Sequence, residues 1–584
     1  MSDQALTTDS SVSDVLSYFV SILGPEKKYY ALALAYGIGI SALSLALPVS
    51  VQMLVNTIAN TGLTTPLVVL TVTLFVLLLA AGLLNALRIH LMDLFSRRFY
   101  ARMVSEIAMR SVFALNPFFQ DYNKGTLFNR YFDIVIVQKT LPELLVGGFT
   151  IVLQVAFGLL LVSLYHPLFL AFMVAVVLLI WVVWLVWGGR AIRSAMQVSH
   201  KKHAAAAWLE GLGGSNGFFK SERHIAEALQ RTDDVTAEYI DRHEKHFRHH
   251  FAQTLCFLVL YAAASAGLLG VGGWLVIAGQ LSLGQLVAAE LVLSVAFVGL
   301  SQLGTYLAKF YELCAALDEL SLFYRIEQED PVTSTETFDG DSSIRFVSAR
   351  GDARGRSATI NFAIPSGARI LSTAETHGIQ REVTNFLKRH VRPATGYVAL
   401  GGQDIMGIPA HALRQHIIVL DRPNAIEMTI REYLQLSGEE ASANRILETL
   451  RVVGLETAIT QLEDGLDTRV AATGWPLTIT ETMQLKLAAA IIAKPRVLVL
   501  GQLFDTMTGA SLRRSLDALQ AGAETTVIYF SSRQREIGFD LYLHLGYDEQ
   551  RLFSNFEDMC EYAASEPCGT GGVDLPDDDL APAT

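Results

Sequence analysis

At 584 residues the chain is too long to close around one hydrophobic core, and at 51% hydrophobic residues it is too apolar for an ordinary soluble enzyme. A formal net charge of -12 excludes an overall basic field of the kind that gathers nucleic acid, so no nucleic-acid partner is expected. The four cysteines, Cys256, Cys314, Cys560 and Cys568, lack CxxC spacing, which excludes a disulfide framework and a zinc ribbon; no metal site is expected.

The chain begins with acidic and polar residues where a secretory leader would carry Lys or Arg, so no cleavable leader is expected. Residues 1–24 read as an elbow segment. In it Val12, Val15, Leu16, Phe19, Val20 and Leu23 recur at helical spacing, as in an amphipathic helix lying on a membrane or on protein. From Tyr29 to Leu87 no side chain is charged, and the polar stretch Asn56 to Pro66 divides this run into two segments. Each is long enough to cross roughly 30 Å of hydrocarbon. A second pair runs about Leu144 to Tyr165 and Leu168 to Trp187, separated by a His166–Pro167 turn, and a third about Thr254 to Ile277 and Gln285 to Leu307. Six spans are predicted.

Their orientation follows from the basic residues, which are retained on the cytoplasmic side. Eight Lys and Arg lie between Arg88 and Lys139, and ten between Arg190 and Arg248, whereas the three opposite loops carry none. Both termini are therefore expected in the cytoplasm. The two basic connections are rich in Ala, Leu, Arg and Glu, so the membrane helices are expected to continue beyond the lipid as rods.

Three segments then carry a family resemblance. FFQDYNKGTLFNRYFDI (Phe118 to Ile134) and WLEGLGGSNGFFKSE (Trp208 to Glu222) resemble the two coupling segments of ABC exporters. GGWLVIAGQLSLGQLVA (Gly272 to Ala288) resembles the join between their fifth and sixth spans, particularly in the subgroup that secretes polypeptides. The resemblance covers about Pro25 to Glu327 and implies a six-helix membrane domain, here residues 25–326.

After a polar linker, residues 327–342, short β-rich runs alternate with helices, the pattern of an α/β domain over residues 343–556. Strands are predicted at Ile344 to Val347, Ala358 to Ile364, Arg369 to Leu371, Ile417 to Leu420, Val497 to Leu500 and Thr526 to Phe530. TGYVALGGQDI (Thr395 to Ile405), LRQHIIVL (Leu413 to Leu420), GLDTRVAATG (Gly465 to Gly474) and AKPRVLVL (Ala493 to Leu500) resemble, in that order, landmarks of the ABC nucleotide-binding domain. The fold class is thus a helical membrane domain followed by an α/β, P-loop-like domain. Residues 557–584 are expected to be a disordered acidic tail, with Asp577, Asp578 and Asp579 adjacent.

A phosphate loop reads GxxxxGK[ST], because glycines let backbone N–H groups close on phosphate, Lys neutralises charge and the hydroxyl holds magnesium. This chain reads TAETHGIQ: Thr373 stands at the first glycine, Gly378 at the second, Ile379 at the lysine and Gln380 at the hydroxyl, with Glu375 adding a negative charge. Gly501 and Gln502 follow the strand where the family places a magnesium-binding Asp and a water-activating Glu. Asp421 stands at the glutamine loop, Leu477, Thr478, Ile479, Thr480 and Glu481 at the LSGGQ signature, and Ser532 at the switch histidine. No aromatic residue adjoins Ala349 and Arg350, where the family stacks adenine. The domain therefore reads as degenerate: ATP and magnesium are not expected as cofactors, no catalytic residue is assigned, and ATPase activity is expected to be negligible.

Glu290 lies within the sixth span, where an ionisable side chain is a candidate for substrate contact or proton relay. His243, His246, His249 and His250 share a helical face, but they lie among Arg242, Lys245 and Arg248 and read as a solvated rod rather than a metal patch. Trp181, Trp184 and Trp187 read as an interfacial belt.

The resemblance implies an exporter half in a bacterial inner membrane, surrounded by lipid. It implies a homodimer, or a heterodimer with another ABC half, with a periplasmic adaptor as a further partner. Such a chain moves, or helps to move, a substrate outward, peptide or protein being the class to which the join between spans five and six points. Two alternatives stay open: a scaffold or regulator of a transport or secretion complex, and a proton-driven carrier with Glu290 as its relay.

Overall fold

The computed structural model describes residues 20–60, 64–115, 124–163, 165–329, 338–351, 358–438, 442–521, 524–532 and 538–565. Most of the predicted amphipathic segment 12–23 and the tail beyond Ser565 lie outside them. The chain divides into two compact units, Met1–Glu329 and Asp330–Thr584.

Among its described residues the first unit contains six helical passages long and apolar enough to cross a membrane, at Val20–Val55, Leu67–Val112, Leu127–Val162, Pro167–Gly214, Glu222–Ile277 and Leu283–Tyr324. Pro48 has no N–H to give to the carbonyl of Ser44, and the first passage breaks there into Lys27–Ser44 and Ala46–Asn60. Pro142 similarly precedes a π-helical turn, Leu144–Gly148, in the third. The predicted turn at His166 is a helix start: the His166 ring accepts the N–H of Leu168 at 3.2 Å, and Pro167 opens the helix. Phe75 and Leu83 of the second passage point outward, 65% and 60% exposed, as lipid-facing side chains do. Close approach comes from glycine: a Cβ on Gly299 would lie 2.3 Å from the Ile151 side chain, so that side chain of the third helix seats directly on the backbone of the sixth.

The long helices extend well past the apolar stretches, as the composition of the connections predicts, and charged side chains tie these extensions together. Asp133, 1% exposed, accepts from His203 at 2.6 Å and Lys202 at 3.0 Å. Arg130 reaches buried Glu319 at 2.6 Å, and His200 reaches Asp318 at 2.8 Å. Removing one member of a buried pair leaves the other desolvated and unpaired, which costs about 3–5 kcal/mol. Asp133→Ala is accordingly expected to lower thermal stability of the purified protein markedly, whereas exposed Asp241→Ala, which removes a surface partner of Lys245, leaves it nearly unchanged. Differential scanning fluorimetry of the two variants side by side checks this.

The polar linker starts later than the sequence places it. Leu115 donates to the Glu327 carbonyl at 2.9 Å and Glu329 to that of Phe113 at 2.8 Å, so residues 327–329 belong to the first unit.

Among its described residues the second unit is built on three sheets. Strands β1 (Ile344–Arg350), β2 (Ile360–Ile364), β4 (Thr395–Leu400) and β5 (Gln403–Asp404) form an antiparallel sheet in the order β2-β1-β4-β5; β3 is Arg369–Ala374. With β6 (Ile417–Leu420), β7 (Met428–Thr429), β8 (Arg469–Val470), β9 (Val497–Leu500), β10 (Thr526–Phe530), β11 (Leu541–Leu545) and β12 (Gln550–Phe553), the central sheet has the order β12-β11-β3-β10-β9-β6, and β7 pairs β8. All central pairings except β11–β12 are parallel. Each of the four residues of β9, Val497 to Leu500, is buried, as a strand covered on both faces requires. Helices Ala443–Val453, Ile479–Ala493 and Gly509–Gln520 contribute to one core cluster, and the antiparallel sheet and helix His377–Leu387 to the other. A helix at Phe556–Ser565 occupies the start of the predicted tail; its Met559 is 1% exposed, and that burial is what orders residues the sequence assigned to disorder.

Because β3, β6, β9 and β10 run parallel, their C-terminal ends emerge along one edge, the edge at which open α/β sheets bind ligands. Thr373, Asp421, Gly501 and Ser532, singled out from sequence, all lie there.

Candidate functional site at the sheet edge

At β3 the chain leaves the sheet through Glu375 and Thr376 into helix His377–Leu387. Thr373 Oγ1 pairs with His544 Nδ1 at 3.1 Å, and Thr376 Oγ1 with the Tyr547 hydroxyl at 3.1 Å. The Glu375 carboxylate accepts the N–H of Tyr547 at 3.1 Å. Ile379 is fully buried in the core with Val383 and Phe386. Gln380 is 3% exposed, and its side-chain oxygen has no donor among the described residues. The helix start itself carries no side-chain cap, so backbone N–H groups remain available beside Gly378, with a carboxylate rather than a cation next to them.

The ends of β6 and β9 touch. Gly501 donates to the Leu420 carbonyl at 2.9 Å, and a Cβ at Gly501 would lie 3.0 Å from Asp421 Cα. Gln502 is exposed and opens a single 3-10 turn, Gln502–Thr506. Cations gather around Asp421: burial lowers the pKa of Lys388 and of Lys486, while the Asp421 charge acts in the opposite sense on both. His390 is pushed down to about 3 by burial and by the charges of Lys388, Arg414 and Arg422.

That shift has a sign. Between about pH 6.5 and 3 the unfolded chain binds a proton on this histidine that the folded unit refuses, so stability falls on acidification through that window. The slope approaches about 1.4 kcal/mol per pH unit for one proton, and His390→Gln is expected to flatten it. Urea unfolding of wild type and variant between pH 5 and 7.5 measures the difference.

Asp505 was not singled out by sequence and proves to be the most heavily bonded carboxylate on this edge. It lies in the 3-10 turn after Gln502, 9% exposed, and accepts from the Tyr529 hydroxyl, from Ser531 Oγ at 2.7 Å, and from Ser532 N and Oγ at 3.0 and 2.8 Å. Burial opposes its charge, but the hydrogen bonds from Tyr529, Ser531 and Ser532 outweigh it and hold the carboxyl below its ordinary range. Ser532 is thereby committed, through both backbone and hydroxyl, to an internal acid.

The signature position forms another internal pairing. Thr478 caps helix Ile479–Ala493 by accepting from Glu481 N, and Glu481 accepts from Thr478 N and Oγ1, both at 2.8 Å. This is a reciprocal capping box, with the Glu481 carboxylate at the positive end of the helix where an anion would otherwise bind. Leu477 is buried, Ile479 is 56% exposed and Thr480 is half-buried. The T-x-x-E spacing announces this cap in the sequence; comparison with LSGGQ obscured it.

Elsewhere, Glu290 sits on the sixth membrane helix two turns after a Ser282–Gln285 capping box and is exposed on the chain's surface. The histidine row is not uniformly solvated, contrary to expectation. His246 bonds Ser194 at 2.9 Å, and His246 and His250 both pack edge-on against buried Tyr311. No cluster of three or more metal-type ligands occurs among the described residues.

A bacterial Atm1-family ABC exporter solved with ATP bound superposes with a TM-score of 0.77, covering 93% of this chain and 97% of that one at 17% identity, which establishes a shared fold. The six-helix domain followed by an α/β domain is thus the ABC exporter fold. Residues 30–209 match the ABC transporter transmembrane region. Among curated relatives, the ABC multidrug transporter mdr2 of Aspergillus fumigatus is 26% identical over 87% of this chain and 66% of its own length. The alpha-hemolysin translocation ATP-binding protein HlyB of Escherichia coli O157:H7 is 25% identical over 41% of this chain and 34% of its own. The chain thus spans just under two thirds of the first relative and about a third of the second.

Proposed function

We propose that the chain is a non-hydrolysing half of a dimeric export system, carrying or helping to carry its substrate out of a bacterial cytoplasm with both termini on the cytoplasmic side. The observation that supports this most directly is the fate of three carboxylates at the sheet edge and the neighbouring helix start. Glu375, Glu481 and Asp505 each accept hydrogen bonds from the chain itself, at or beside the phosphate-loop, signature and switch positions. A magnesium–triphosphate needs cations, free donors and metal-binding acids there, and the side chains present do not fit it. Energy then has to enter through a partner half.

A polypeptide substrate is supported by the likeness of the Gly272 to Ala288 segment and by the relationship to a protein named for alpha-hemolysin translocation. The dimer is tested by isolating the tagged full-length chain from its own membranes in mild detergent. The expected result is a stoichiometric second chain that carries GxxxxGK[ST] and supplies all ATPase activity of the complex. Isolation as a homodimer that alone hydrolyses ATP would reject the proposal.

A further inference from the structure

Between the second, third and sixth membrane helices lies a cavity of about 460 Å³, within the range of small-ligand sites. Pro142 and the π turn Leu144–Gly148 shape one wall, because the π turn widens the third helix. Gly147 completes that wall: a Cβ there would lie 2.4 Å from the Tyr306 hydroxyl, so only glycine lets the phenol ring settle onto the helix. Ile89, Met92 and Val146 supply an apolar side, with Ile89, 55% exposed, at the rim.

The polar lining balances unevenly. The Glu143 carboxylate is paired with Lys309, and Asp93 is paired with Arg97 at 2.6 Å. Lys139 has neither a carboxylate nor a hydrogen-bond acceptor among the described residues, and the same holds for the Tyr306 hydroxyl. One cation and one hydroxyl donor therefore face a cavity whose other side is hydrocarbon. The level is also informative. The lining residues of the second helix follow directly on the charge-free stretch ending at Leu87, those of the third straddle Glu143 and Leu144, and Tyr306 and Lys309 close the sixth apolar run. All three mark the bilayer edge on the side of the basic connections, where acidic head groups reside.

We propose that this cavity binds an acidic amphiphile, its phosphate or carboxylate head on Lys139 and Tyr306 and its acyl chain along Met92 and Val146. A neutral ligand would leave Lys139 and the Tyr306 hydroxyl without an acceptor, and a free inorganic anion would leave the apolar side unfilled. The site lies wholly within the first unit and stands independently of whether the second unit hydrolyses ATP.

The test uses the full-length protein, delipidated in neutral detergent and melted with increasing dioleoyl phosphatidylglycerol, dodecyl phosphate, dioleoyl phosphatidylcholine or inorganic phosphate. A saturable rise in Tm is expected with at least one acidic amphiphile and not with phosphatidylcholine or inorganic phosphate. Preference for phosphatidylglycerol identifies membrane lipid as the source, and an equal or larger effect of dodecyl phosphate identifies a single-chain anion. Lys139→Gln, at an exposed position, is expected to leave the ligand-free Tm unchanged and to weaken the acidic ligand about tenfold, and Tyr306→Phe to weaken it less. Native mass spectrometry should retain one bound amphiphile per wild-type chain and lose it in Lys139→Gln. Equal shifts with phosphatidylcholine, a full shift with inorganic phosphate alone, or undiminished affinity in Lys139→Gln would each overturn the assignment.

Discussion

Purified, reconstituted protein is expected to hydrolyse ATP about a hundredfold to ten thousandfold more slowly than an intact exporter, and writing the missing residues back is expected not to rescue it. The first expectation follows from Gln502, since loss of a general base alone costs about that factor. The second follows from how the surroundings pack around Ile379 and Gly501. Ile379→Lys would put an ammonium into a position that is fully buried among Val383 and Phe386, where an unpaired charge is strongly destabilising. Gly501→Asp would press a Cβ to 3.0 Å from Asp421 Cα and set two carboxylates side by side. The variant that combines Ile379→Lys, Gln380→Ser, Gly501→Asp and Gln502→Glu should therefore melt earlier than wild type and show phosphate release indistinguishable from it. Turnover at ordinary exporter rates in either protein would remove the basis of the proposed function.

Asp505→Ala is expected to destabilise the second unit by about 3–5 kcal/mol, because it removes the acceptor of four hydrogen bonds, from the Tyr529 and Ser531 hydroxyls and from both donors of Ser532, at a site that is almost wholly enclosed. Hydrogen exchange of the full-length protein, followed on peptides spanning Thr526–Phe530, reports it as exchange accelerated by about two to three and a half orders of magnitude, which is what 3–5 kcal/mol gives at about 1.4 kcal/mol per decade. The pH dependence has a definite direction. The folded carboxyl titrates below its unfolded value, so its contribution is complete above about pH 4 and is lost as pH falls through the folded value. Wild type and Asp505→Ala should differ most at neutral pH and converge in strong acid. A difference that grew on acidification would mean the residue is held as a neutral acid instead.

Much of the architecture was readable from local pattern. Six passages followed from charge-free runs, and β3, β6, β9 and β10 from short stretches rich in branched apolar residues. β11 escaped because His544 and Tyr542 interrupt its apolar run, and β12 because Gln550 and Arg551 are polar on an edge strand. The helix Phe556–Ser565 escaped for a different reason: its order comes from burying Met559 beneath it, a contact no local propensity reveals. At the sheet edge the candidate positions were visible one residue at a time, yet their hydrogen-bond partners were not. Asp505 takes its donors from 24 to 27 residues downstream, a pairing that exists only once β9 and β10 lie adjacent. The inward turn of His246 and His250 was hidden in the same way, since Tyr311 reaches them from another helix.

The fifth passage, Glu222–Ile277, runs unbroken for 56 residues, about 84 Å at 1.5 Å per residue. Less than half of that is needed to traverse a hydrocarbon layer of roughly 30 Å, even allowing for tilt. A straight shaft of this reach acts as a lever: leaning by about 5° carries its far tip about 7 Å sideways for a length of about 84 Å. A push delivered at the watery end, from whatever neighbour makes it, therefore acts on the longer arm of this shaft and is carried to the opposite face of the bilayer as a tilt.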